Sequence, residues 1–310
     1  MGENNLCDKI TTDGDIILVI GPDEARLCVN SILLQTASKV FKAMLGPHYK
    51  EGQSSSLNGS KKEILLPEDD VDAMTITCAV IHHRNDIIPE GISSNEVLQI
   101  SVLADKYDCK VALKHAIHHW LDHRKAVSLK DLMALMTAAY LLNQAQAFSA
   151  ITYTMMMEHA GSYLPFAQDQ IDFGVPWELF YLLGVKRDLL HQQLDYIISV
   201  KHGYEDCPCG FQSKSAYSYL GQLSNEGLLL APYIDRETAL NRINKIEKIG
   251  APIEVEGSTT CKSYRWHRPA YSRETTLNEL QGLKDGKGLC LNCISGGSPV
   301  YSEKACSIKH

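Results

Sequence analysis

The chain has 310 residues, 45% of them hydrophobic and 22% charged, with a formal net charge of −7 and a pI near 5.9. This describes an ordinary globular chain of two or three domains that can bury a sizeable core. The acidic balance argues against a protein whose whole surface grips nucleic acid. The opening residues MGENNLCDKITTDGD are polar and lack an apolar core, so no secretory signal is expected, and the longest apolar-rich run, 132–142, is too short to span a bilayer. Ten cysteines without such a signal suit a reducing compartment, cytoplasmic or nuclear, where they serve as thiols or metal ligands rather than disulfides.

In chain order, residues 1–12 are expected to be disordered. DIILVI at 15–20 is a β-rich run closed by the turn signal Gly21-Pro22-Asp23, and Ala25 to Val29 returns as a second strand. SILLQTASKVFKAML has helical spacing, with Ser38 placed to cap a restart and Gly46-Pro47 as a stop. Residues 50–62 read as a polar loop. EILLP at 63–67 is a short strand, and Asp69 or Asp70 caps the helix VDAMTITCAVIHH. Ser93 or Ser94 opens a helix whose Val97, Ile100, Ser101, Ala104 and Tyr107 share one face. A second helix with Val111, Leu113, Ala116, Ile117, Trp120 and Leu121 follows a break at Asp108-Cys109.

GDIILVIG, LCVNSILLQTASKVFKAML, EILLPEDDVDAMTITCAVIHHRND and VLQISVLADKYDCKVALKHA resemble successive motifs of the BTB/POZ family, most closely fungal BTB-domain proteins. The resemblance covers residues 13–122 and implies an α/β (α+β) domain whose work is homodimerisation or recruitment of other proteins. It implies a largely helical dimer face, for which Ile32, Leu33, Val40, Phe41 and Met44 are candidates alongside core roles. Family members usually carry His followed by Lys or Arg where this chain has Asn30-Ser31. A charged pocket built with Asp15 therefore loses its cation, corepressor recruitment is not carried over, and Asp15 reads as a strand-start or capping carboxylate.

From 123 to 205 a helical bundle is expected, with segments at 129–142, 145–159 and after Pro176. In other BTB proteins such helices complete a cullin-binding groove, so a substrate adaptor of a cullin-type ubiquitin ligase is the alternative function. Residues 206–294 are cysteine-bearing loops between short helices, and 295–310 a disordered tail.

The strongest chemical constellation is Cys207, Cys209, Cys290 and Cys293, a thiolate set for one structural zinc ion, with Cys261 and His267 as substitutes because C-x-C is a tight pair. The competing reading is that intracellular cysteines are small buried hydrophobes. A redox role for Cys290-x-x-Cys293 is less suited to a Gly-rich approach near the C-terminus. His115, His119 and His123 read as an exposed polar stripe, and Lys106 and Asp108 as surface. KSYRWHRPAYSR (262–273) mixes Lys262, Arg265, Arg268 and Arg273 with Tyr264, Trp266 and Tyr271. It reads as a surface loop, the alternative being a nucleic-acid-associated regulator. No phosphate loop, dinucleotide fingerprint or nucleophile elbow occurs, so a non-catalytic protein is expected.

Overall fold

In a computed structural model describing residues 10–47, 61–199, 209–229, 237–250, 261–262, 267, 269 and 271–296, the chain is mixed α/β and mostly helical. It divides into two units, the first holding residues up to Ile151 with 168–175 and 290–306, the second 152–167 and 176–289. Most of the expected N-terminal and C-terminal tails and of the polar loop 50–62 lies outside the described residues. Ile10, however, is fully buried and its carbonyl accepts from Arg84 at 2.7 Å, so the first unit begins before residue 13.

In the first unit β1 (Ile16–Ile20) is the middle strand, antiparallel to β2 (Ala25–Val29) and parallel to β3 (Lys62–Leu66). All five β1 side chains are buried, which is why the run IILVI has no polar alternation. Gly21 makes the hairpin turn at φ 70°, backbone that a side chain resists. Gly14 is fixed differently: a Cβ there would meet Cys28 Sγ at 2.6 Å.

Two short helices, α1 (Ser31–Ala37) and α2 (Lys39–Met44), follow β2. Asn30 caps the first through Ile32 and Leu33 N–H, and Ser38 caps the second through Phe41 N–H at 2.9 Å. Asp15 accepts from the backbone N–H of Ser31 at 2.7 Å and from its hydroxyl, the capping role expected of it. Burial raises its pKa, but the bonds from Ser31 outweigh this and hold the carboxyl below its usual value.

α3 (Val71–Ile81) is capped by Asp70, which accepts from Ala73 N–H at 2.8 Å. α4 (Ser94–Lys106) opens on a complete capping box between Ser93 and Glu96. Asp69 is not a second cap. Its side chain is 2% exposed and accepts from Lys106 Nζ at 2.6 Å and from the Tyr107 hydroxyl. Tyr107 stacks on Phe41 with centroids 4.5 Å apart, and its carbonyl accepts from Ser38. Lys106 is exposed, as the surface reading has it, and its ammonium is in addition committed to a buried carboxylate.

Helix α5 (Lys114–Trp120) starts later than its apolar pattern suggested. The turn before it leaves Val111 88% exposed while Leu113, Ile117 and Leu121 are buried. α6 (Leu129–Leu141) packs against α4 and belongs to this same unit, rather than to a separate bundle beginning at 123. The boundary instead falls within α7 (Ala145–Glu158). Most of α8 (Ala167–Ile171) also belongs to the first unit, with Gln170 accepting from the buried Thr137 hydroxyl at 2.6 Å.

His82, which ends α3, links that helix to the start of α1. Its Nε2 accepts from Asn30 N–H at 2.9 Å and its Nδ1 lies 2.8 Å from the Cys78 carbonyl, so the neutral ring with its proton on Nδ1 satisfies both contacts. Burial above all holds its pKa below the usual value, the Cys78 bond opposing and His83 adding to the fall. The unfolded ring binds a proton near pH ~6.5 that the folded one resists, so the stability is present above that pH and is lost as pH falls through it. Urea stability is expected to decline on acidification from neutrality, and His82→Leu to flatten part of the slope. A variant with an unchanged slope would refute this assignment.

In the second unit α9 (Glu178–Ile198), α10 (Phe211–Asn225), α11 (Ala239–Lys248) and α12 (Arg273–Lys284) enclose their own core. Leu194, Ile197, Tyr219, Ile243, Ile246 and Leu280 are its centre. Arg187 is buried elsewhere in this unit, donating to the Ala160 carbonyl at 3.0 Å and to that of Gly161, and lying 5.4 Å from the Tyr163 ring centre.

Candidate functional site

Three donor side chains converge in the second unit: Cys209, Cys261 and His267, whose ligating atoms lie within 4.8 Å of one another. Their meeting is organised by α10. Gly210, at φ 73°, turns the chain between Cys209 and the first helical residue. Phe211 stacks on the His267 ring, centroids 4.5 Å apart and planes 11° from parallel. Two turns further along the helix Tyr219 stacks on Tyr271, also at 4.5 Å. The two stacks set the His267 and Tyr271 rings against α10, with His267 Nε2 at 3.3 Å from Cys209 Sγ.

This spacing suits a metal ion. Around tetrahedral zinc, with Zn–S of ~2.3 Å and Zn–N of ~2.0 Å, neighbouring S and N donors stand about 3.5 Å apart. Two thiols and an imidazole are a donor set for a borderline or soft cation rather than for calcium or magnesium. The cluster can thus hold a metal ion. The described residues contribute three donors where structural zinc takes four. The other ring nitrogen, His267 Nδ1, is buried with no hydrogen-bond partner among the described residues, where a metal-binding histidine usually donates to an acceptor.

Among the residues named from sequence, the structure thus joins Cys209 to the two substitutes, Cys261 and His267. Cys207 lies outside the described residues. Cys290 and Cys293 belong to the first unit, Cys290 as the N-cap residue of α13 (Leu291–Ser295) and Cys293 within it. A C-x-x-C spacing is legible locally, whereas the ring stacks that deliver His267 join residues more than fifty positions apart. Aromatic residues near two of the donors, Phe211 just after Cys209 and Tyr271 just after His267, were the available signal.

The other candidates separate by burial. Phe41 is completely buried against Tyr107 and is core. Leu33 and Met44 are half-buried, Val40 is at the surface, and Ile32 is 68% exposed. A groove lined by Ile32, Gln35, Ala37, Lys42 and Val111 runs along α1. His115 and His119 are exposed on α5, as the polar-stripe reading has it, and His123 lies beyond that helix in a short 3-10 turn. In the basic–aromatic segment Tyr271 is buried and Arg273 donates to the carbonyls of Ile249 and Glu247, so both are spent on packing within the unit. Tyr264, Arg265, Trp266 and Arg268 lie outside the described residues. No helix among the described residues is long and apolar enough to cross a membrane.

Neither a scan against protein-family models nor searches of curated proteins and of solved structures find a match to this chain.

Proposed function

We propose that the chain is a non-catalytic protein-interaction module of the BTB/POZ type that acts by pairing with a second copy of itself through the α1–α2 face. A second part of the proposal is that the other unit carries one structural zinc ion at Cys209, Cys261 and His267. The observation that carries the first part is the exposure of Ile32 and Val111 beside one groove, with Phe41 turned inward. Apolar residues exposed to that degree beside one groove suit an interface. The order strand, strand, helix, helix, strand, helix, with β1 central, accords with the motifs that suggested the family.

Native mass spectrometry of the reduced, intact protein tests both parts in one spectrum. At micromolar concentration the expected species is a dimer carrying one zinc ion per chain. Ile32→Asp is expected to give a monomer with unchanged far-UV circular dichroism, since burying the new carboxylate at an apolar interface costs several kcal/mol, on the order of 2–5. A wild-type monomer at that concentration, or a variant that still dimerises, defeats the pairing; a chain without bound zinc defeats the second part alone.

A further inference from the structure

We infer that Cys209 and Cys261 form a peroxide-sensitive clasp: a hydroperoxide joins their sulfurs as a disulfide and expels the metal ion they hold with His267. The expulsion rests on the zinc reading above, whereas the disulfide rests on the geometry of the thiol pair alone.

Access and proximity separate this pair from the buried thiols of the first unit. Cys209 is exposed and Cys261 half-buried, and their sulfurs lie within 4.8 Å. A disulfide needs about 2.05 Å, a closure that side-chain rotation at an exposed residue can supply. Cys28, Cys78 and Cys109 in the first unit are buried. Burial pushes the Cys109 thiol up to about 12 and the Cys78 thiol higher, so neither offers a thiolate to an oxidant.

The chemistry balances with hydrogen peroxide as the co-reactant. The Cys209 sulfur attacks one peroxide oxygen, the O–O bond breaks, and a sulfenic acid and hydroxide result. The Cys261 sulfur then attacks the sulfenic sulfur, the S–S bond forms, and the S–O bond breaks to release a second hydroxide. Two protons complete two waters. Each sulfur loses one electron, the peroxide gains two, and zinc departs unchanged as a dication because only His267 of the three donors remains.

The test treats the full reduced chain, both zinc-loaded and chelator-stripped, with stoichiometric hydrogen peroxide. Zinc is read by native mass spectrometry and linkages by peptide mapping after alkylation. The expected result is loss of one zinc per chain together with a Cys209–Cys261 linked peptide as the main bridged species, reversed by dithiothreitol, with Cys261→Ser abolishing that peptide. If zinc binds and the main bridge is instead Cys207–Cys209 or Cys290–Cys293, or no bridge forms, the clasp is overturned while the zinc reading stands. If no zinc binds yet the stripped chain forms Cys209–Cys261, the zinc reading falls and the pair remains the oxidation site. Far-UV circular dichroism of Cys261→Ser guards against loss of fold, and single Cys290→Ser and Cys293→Ser variants are expected to release zinc at the wild-type rate.

Discussion

Replacing Asp69 by alanine is expected to destabilise the first unit by about 3 kcal/mol, whereas replacing its neighbour Asp70 costs about 1. Both are aspartates before the same helix, and their roles differ by burial and partners. Asp70 supplies one cap bond to Ala73 N–H. Asp69 is withdrawn from water and joins Lys106 and Tyr107, which anchor the C-terminal end of α4 to the segment before α3. Its removal leaves the Tyr107 hydroxyl without that acceptor in a residue that is 4% exposed. Burial first, and then the bond to Asp69 and its charge, push the Tyr107 phenol up, so the proton stays on the phenol and donates. Lys106→Met should cost less than Asp69→Ala, because the lysine is 44% exposed and water screens its half of the pair. Urea unfolding followed by tyrosine fluorescence ranks the variants, and equal losses for Asp69→Ala and Asp70→Ala would sink the distinction.

Arg187→Met in the second unit is expected to cost about 2–3 kcal/mol, since methionine fills the space of the stem but leaves the carbonyl of Ala160 without its donor. The side chain is 8% exposed, so its bonds are little screened. A second readout separates the charge from the packing. Burial is the main cause holding the His159 pKa below its usual value; the Ser162 carbonyl opposes, and the positive charge of Arg187 adds to the lowering. Loss of that charge should move the His159 titration upward, observable in the ring-proton resonances. Arg187→Lys, which keeps a cation, should restore the low pKa more fully than it restores stability, because an ammonium cannot reproduce the guanidinium fork. A His159 titration unchanged in Arg187→Met would refute the electrostatic link.

Much of the first unit is legible because its signals are local. Ser38, Ser93 and Asp70 are cap residues whose meaning depends on the next few positions, and the run IILVI declares a strand buried on both faces. Signals of longer reach are not legible. Nothing near Asp69 says that Tyr107 will reach it, so the two aspartates look interchangeable. Val111 fits the apolar period of its neighbours, but the helix begins only at Lys114, so the period does not apply to it. The helix 129–141 is apolar over most of its circumference, and sequence cannot say which neighbour it covers; α4 proves to be that neighbour. At the Cys209, Cys261 and His267 cluster the residue types were readable and their grouping was not, because the grouping depends on Phe211 and Tyr219 stacking on residues that follow by more than fifty positions.

The parallel pairing of β1 with β3 has a consequence for how the chain can change length. Ile16 is opposite Lys62, so the ladder closes a ring of roughly 45 residues that includes α1 and α2. The entropy of closing such a ring grows only with the logarithm of its size, about 0.6 kcal/mol for each doubling. Additional residues between α2 and β3 would therefore weaken the sheet very little. One residue inserted within β3 itself would shift Ile64 and Leu66 out of the core and turn Leu65 inward. Tolerance of length and intolerance of register thus meet within a few positions of each other at the entrance to the third strand.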